Sequence, residues 1–385
     1  MTMSEASLDQ LSALGQRIWM DSLSRPMLTD GQLQRMIDRD RVVGVTSNPT
    51  IFHDAISGGD AYDAQLRDEL GSGADEEAAF LALAVTDIQA ACDLLRPRWD
   101  RGKGLDGWVS IEVNPLLAHD TEATVAEVTR LREAVQRDNL YVKIPATEEG
   151  LTAIEASIAN GASINVTLIF ALERHRAVAE AYLRGLERLV EHGGDPATVA
   201  SVASFFVSRV DTECDRRLDR LGVEGLHGKL AIANAKLAYQ SYKEIFSGRR
   251  WEALAERGAS PQHCLWASTS VKDERYRDVM YVEELIGPDT VTTMPPDTLA
   301  AFRDHGNVAP TLKQDIDEAR EVFATIQQAD VDYDDLVATL EREGVEKFSN
   351  SYRELLGELT RKRDELKLGD RRWTRVASAR TESSD

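Results

Sequence analysis

Lys143 stands in the run Tyr141-Val142-Lys143-Ile144-Pro145, whose side chains alternate as they do along a strand. Val142 and Ile144 then share one face, and Tyr141 and Lys143 the other. If the apolar pair meets a layer of helices, Lys143 points the opposite way, into the interior. A buried ammonium is costly unless paired, and desolvation disfavours its charged form. Such an amine is the nucleophile that attacks a carbonyl to form a Schiff base. The position also admits a structural ion pair with Glu112 or Asp21, and on this strand alone that is the more common outcome.

Asp21 and Glu112 end the otherwise apolar runs 18–22 and 108–113. Two carboxylates near one amine can divide the proton work, one taking a hydroxyl proton and the other assisting loss of water. Capping of a following helix is the plainer use, and for Asp21 alone the more frequent one. Asn48, Asn165 and Thr167 offer uncharged groups suited to polyol hydroxyls, although each also fits a turn or a buried network. Arg209 follows the sixth apolar run, and Ser268 with Lys272 follows the seventh. Hydroxyls, backbone N–H groups and a cation at such places can hold a phosphate, whereas singly each reads as solvated surface.

The elements that must position these residues are short β-branched runs at 18–22, 42–46, 108–113, 141–144, 163–170, 201–207, 264–269 and 290–294. Helical spacing fills the gaps. Leu81, Val85, Ile88, Cys92 and Leu95 share one face of 80–95; Leu151, Ile154 and Ile158 do so in 151–158, and Val178, Tyr182, Leu186 and Leu189 in 171–192. Eight strands alternating with helices imply a single (β/α)8 barrel, with a doubly wound open sheet as the alternative. In a barrel the chemistry sits at the C-terminal strand ends. Here those ends are polar: Asp21, Thr46-Ser47-Asn48, Glu112-Val113-Asn114, Lys143, Asn165-Val166-Thr167, Ser204 and Ser268-Thr269. An extra helix precedes the barrel and a helical extension follows it at 332–366, with Leu336, Leu340, Val345, Phe348, Tyr352, Leu355 and Leu359 facing inward. The Gly-rich acidic stretch 57–77 reads as a surface insertion. Residues 1–369 thus form one barrel domain, and 370–385 a polar, poorly ordered tail.

Composition narrows the partners. With 66 acidic against 45 basic residues the net charge is −21, which disfavours nucleic acid and anionic membranes and requires any phosphate to find a local island of positive charge. Three scattered cysteines and the absence of a signal peptide or an uninterrupted membrane-length apolar run point to a reducing cytoplasm. The histidines show no HxH, HExxH or HxxxH spacing, and there is no GxSxG or Walker loop. Gly102, Gly104 and Gly107 match GxGxxG but lead into a strand, so they read as a loop. No metal, nucleotide or organic cofactor is expected.

The strand-end motifs, taken together, carry a resemblance. Met20-Asp21-Ser22, Gly44-Val45-Thr46-Ser47-Asn48-Pro49, Val109-Ser110-Ile111-Glu112-Val113, Val142-Lys143-Ile144-Pro145-Ala146-Thr147, Asn165-Val166-Thr167-Leu168, Ser204-Phe205-Phe206-Val207-Ser208-Arg209 and Trp266-Ala267-Ser268-Thr269 follow one another in order. The set resembles the transaldolase family, in particular its longer actinobacterial-type branch. That resemblance implies a Schiff base on Lys143, with Asp21 as acid/base at the C4 hydroxyl and Glu112 activating a water supported by Thr167. It further implies Asn48, Asn165 and Ser204 around the dihydroxyacetone unit, and Arg209 and Ser268 at the phosphate, with Lys272 where many members place an arginine. The family also often has Pro where Phe205 stands. The implied reaction is dihydroxyacetone transfer from sedoheptulose 7-phosphate to glyceraldehyde 3-phosphate, a step of the non-oxidative pentose phosphate pathway. Related fructose-6-phosphate aldolase-like lyases tend to carry a tyrosine where Phe206 stands, and a binding barrel without catalysis is the remaining rival. Sugar phosphates are the expected partners, and a homo-oligomer remains open.

Overall fold

The computed structural model describes residues 3–381, and β-branched runs supply its strands. They are β1 (Gln16–Met20), β2 (Val42–Thr46), β3 (Trp108–Glu112), β4 (Leu140–Pro145), β5 (Ile164–Ile169), β6 (Ser201–Phe206), β7 (His263–Ala267) and β8 (Thr290–Met294). Each is parallel to the next, and β1 pairs with β8, so the sheet closes into a barrel and the open-sheet alternative falls. The expected runs coincide with these strands to within two residues at either end.

Helices return the chain outside the barrel, and polar residues at the strand ends start several of them. The Asn48 side chain accepts from Ile51 N at 2.9 Å, opening helix Pro49–Ser57. Thr147 does the same for helix Glu148–Ala159 through Gly150 N at 3.0 Å. Helix Glu76–Gly102 is long and apolar enough by composition to cross a membrane. In the fold it is a core helix that buries Leu83, Ile88, Cys92 and Leu95 against the barrel. The stretch from Gly102 to Gly107 is a turn into β3, as its sequence suggested, with Gly104 and Gly107 at positive φ.

Below the strand ends the barrel is plugged by aromatics. Trp108 and Tyr141 stack at 4.1 Å between centroids, and Trp19 lies 5.9 Å from Tyr141. Gly44 makes room for this layer: a Cβ there would meet the Trp19 ring at 2.5 Å. The plug gives the polar ends above it an apolar, water-poor floor.

Two segments outside the barrel gain definition in the fold. The acidic stretch 57–77, expected as a surface insertion, lies mostly at the surface but is anchored. It holds helix Asp63–Gly71, and Tyr62 and Leu66 are fully buried. Tyr62 Oη donates to Asp87 at 2.7 Å and accepts from Arg25 N at 2.9 Å, while Arg25 pairs with Asp87 at 2.5 Å. Two apolar side chains among many acids are too few to show a period, yet they suffice as anchors. The terminal extension is one helix, Tyr333–Thr381, which crosses the C-terminal mouth of the barrel. Its Leu336, Leu340, Phe348, Tyr352, Leu355 and Leu359 are buried as expected, with Val345 only partly so. Lys362 ties it to Asp63 and to the Gly59 carbonyl, each at 2.6 Å. Of the tail 370–385, the backbone is helical to Thr381, and 382–385 lie outside the described residues.

Candidate active site

Lys143 is the residue around which the barrel mouth is organised. Strand register sets Glu112 of β3 beside Lys143 of β4, and Lys143 beside Asn165 of β5. The alternation read from Val142 and Ile144 thus sends Lys143 inward. Its Nζ lies 3.1 Å from Glu112 Oε2, with the two side chains only 6% and 5% exposed. It donates to the Ser47 carbonyl at 3.1 Å, and the Phe348 ring of the C-terminal helix stands 6.0 Å away. The ammonium is therefore both paired and walled, the condition under which a buried lysine is tolerated.

The carboxylates feel opposing influences. Burial pushes Glu112 above the usual carboxylate range; Lys143 pulls it back, and nearby Asp21 adds to the rise. Burial likewise raises Asp21, against the attraction of Lys143, then Arg209, then Lys272. Asp21 leaves β1 just past its end, its N–H bonded to Met294 O at 3.0 Å. Both groups are thus disposed to hold a proton when a neighbouring cation gives up its charge.

A hydrogen-bonded row lies beside Lys143. Ser204 Oγ donates to Asn165 Oδ1 at 2.7 Å, and Asn165 Nδ2 donates to Ser110 Oγ at 3.1 Å. Ser110 stands in a strand-end motif but was given no role from the sequence; its place two residues before Glu112 on the same strand face was the available signal. Thr167 is fully buried and its hydroxyl has no partner among the described residues. A group of that kind is normally satisfied, so it awaits water or a ligand. Asn48 spends its carbonyl oxygen on the helix cap, which leaves its amide N–H groups for other use.

Across the mouth lie the groups read as a phosphate site. Ser268 adopts φ of +56°, and its hydroxyl is 3.0 Å from that of Ser208, whose N–H donates to Ser268 O at 3.0 Å. Ser208 begins the helix Ser208–Leu221 and, though part of a quoted motif, was likewise given no role. Arg209 follows it, its guanidinium 5.2 Å from the Phe206 ring centroid. Burial lowers its pKa and Asp21 opposes that. Lys272 is exposed on the loop after β7 and donates to Ser270 Oγ at 2.7 Å. The structure thus gathers all ten residues singled out in the sequence at one end of the barrel. Lys143, Glu112, Asn165, Ser204 and Thr167 lie in or beside its interior, and Lys272 is the most peripheral. Phe348 could be found only as an inward position of a terminal helix. Among the described residues no group of three or more His, Cys, Asp or Glu side chains is arranged to hold a metal ion.

Comparison with known proteins agrees with this geometry. The profile of the Transaldolase/Fructose-6-phosphate aldolase family matches residues 18–359. A protein named Transaldolase from Frankia alni is 51% identical over 354 residues, covering 91% of this chain and 95% of the relative. Another of that name from Thermobifida fusca is 52% identical, covering 91% and 96% respectively. Transaldolase 2 of Streptomyces coelicolor is 50% identical, covering 91% and 95%.

Proposed function

Because the chain belongs to the transaldolase/fructose-6-phosphate aldolase family and is an enzyme of the transaldolase type, we propose that it transfers a dihydroxyacetone unit between sugar phosphates through an imine on Lys143. The donor is sedoheptulose 7-phosphate and the acceptor glyceraldehyde 3-phosphate, giving erythrose 4-phosphate and fructose 6-phosphate. The observation that carries this reading is the buried Lys143–Glu112 contact at 3.1 Å, set on an apolar floor and beneath Phe348.

The Lys143 amine, having passed its proton to a neighbouring carboxylate, adds to the C2 carbonyl of the ketose. Glu112, acting through a water that Thr167 helps hold, moves protons while the carbinolamine loses water to give the imine. Asp21 then takes the C4 hydroxyl proton. The C3–C4 bond breaks, its electron pair enters the iminium to give an enamine, and the aldose phosphate leaves as an aldehyde. C3 of the enamine attacks the acceptor aldehyde, Asp21 returns the proton to the new hydroxyl, and water hydrolyses the imine. Asn48, Asn165 and Ser204 orient the three-carbon hydroxyls, and Arg209, Ser268 and Lys272 bind the phosphate.

Transfer requires the enamine to outlast acceptor exchange. Phe206 and Phe348, both buried, offer no hydroxyl to protonate it, and they limit water around the fragment. This favours transfer over release of free dihydroxyacetone. Borohydride with fructose 6-phosphate is expected to inactivate the enzyme and label Lys143, while Lys143→Ala loses at least about 10³-fold in turnover, the scale typical of removing a covalent nucleophile. Normal turnover by Lys143→Ala, or release of dihydroxyacetone at a comparable rate without acceptor, would refute the reading.

A further inference from the structure

In a chain of net charge −21, most arginines at the surface find a carboxylate partner, as Arg250 does with Glu180 and Glu187. Arg209, Lys272 and Lys347 are among the described cations that do not: no described carboxylate lies within 4.0 Å of any of them. The first two follow β6 and β7. Lys347 belongs to the C-terminal helix, and no motif of the sequence drew attention to it.

The packing of that helix places Lys347 at the rim of the mouth. Ser351, one turn further along, has its hydroxyl 2.8 Å from that of Thr50 on helix Pro49–Ser57. Phe348, the next residue after Lys347, is buried with its ring 6.0 Å from Lys143 Nζ. Near its start the helix is held to the helix that bears Arg209, through Arg217 and Asp335 at 2.8 Å. Lys347 therefore belongs to a helix packed against both the helix that bears Arg209 and the one that follows Asn48. Lys347 is exposed at this rim, and partial desolvation, then the charges of Arg209 and Lys272, hold its ammonium below the ordinary lysine range, against the attraction of Asp54. Three cations without close carboxylate partners repel one another, and a dianion among them would relieve that repulsion.

We propose that Lys347 is a third cationic ligand of the substrate phosphate, contributed by the C-terminal helix together with the Phe348 wall over Lys143. This rests on the sugar-phosphate reading above. It also accounts for a phosphate site whose β7 loop supplies a lysine: a point charge on a second element compensates for the missing bidentate fork. One helix then senses the phosphate and shields the amine.

Lys347→Met removes the charge and nearly keeps the length, Lys347→Arg restores it, and Arg342→Ala, exposed on the same helix, controls for general loss of positive charge. In Lys347→Met, KM for fructose 6-phosphate should rise about tenfold with kcat within about twofold, Lys347→Arg should recover most of the loss, and Arg342→Ala should change neither. Calorimetry with inorganic phosphate needs no turnover, and there too affinity should fall about tenfold in Lys347→Met. Unchanged phosphate affinity and KM would overturn the proposal, as would an equal loss in Arg342→Ala. Failure of the sugar-phosphate reading would appear separately, as wild-type enzyme that borohydride and fructose 6-phosphate do not inactivate.

Discussion

Removing one member of the Lys143–Glu112 pair should be far worse for the fold than removing both. At 3.1 Å and an effective dielectric constant of about 20, the Coulomb attraction is about 5 kcal/mol, set against several kcal/mol lost in desolvating each ion. Glu112→Gln leaves the Lys143 ammonium with the Ser47 carbonyl and an amide, at a cost of about 3 kcal/mol. Lys143→Met leaves Glu112 buried, but a carboxyl already raised by burial can take up a proton and become neutral. That variant should therefore lose less, about 1–2 kcal/mol at pH 5. Its loss should grow toward pH 8. A raised carboxyl gives its full stability below the unfolded value, and that stability disappears as pH climbs through the folded one. The double variant should lose no more than about 1 kcal/mol relative to wild type, so the coupling energy is about 3–5 kcal/mol. Urea midpoints of the four proteins, followed by circular dichroism at pH 5 and 8, give the cycle directly. Additive effects, or a Lys143→Met variant whose deficit shrinks as pH rises, would refute the reasoning.

Two further outcomes follow from the scaffold. Asp211 is buried, accepts from Ala231 N at 2.7 Å and from Tyr281 Oη at 3.0 Å, and has its carboxyl pushed up from 3.8 to about 7, chiefly by burial. Its contribution is complete below about pH 4 and fades as pH passes 7, a loss of up to about 4 kcal/mol, so Asp211→Asn should flatten the decline of thermal stability between pH 5 and 8. A slope unchanged in the variant would exclude Asp211 as its source. Gly44→Ala drives a methyl into the Trp19 ring and should destabilise the fold by about 1–3 kcal/mol, measured as a lowered urea midpoint. A neutral effect would mean that the aromatic plug is loose.

Local order was legible in the sequence because it is set by local physics. Val42 to Thr46 and Thr290 to Met294 are β-branched runs, and their strands have the bounds those runs imply. Tyr141 to Ile144 alternates in a way that permits one inward side chain of chemical use, and the polar strand ends named the other candidates. What the sequence could not supply was distance between elements. That Glu112 rather than Asp21 makes the 3.1 Å contact with Lys143 depends on the β3–β4 register. That Thr167 lacks a partner among the described residues while Asn165 is bonded on both sides depends on which groups Ser110 and Ser204 reach. Phe348 and Lys347 read only as positions of an amphipathic helix, and the path of that helix over the barrel is fixed by contacts with residues far away in the chain, such as Thr50 with Ser351, 301 positions apart. Periodicity is a property of neighbours along the chain, so it shows in the letters. The meeting of an amine, two carboxylates and three cations is a property of closure, and only the folded barrel brings them together.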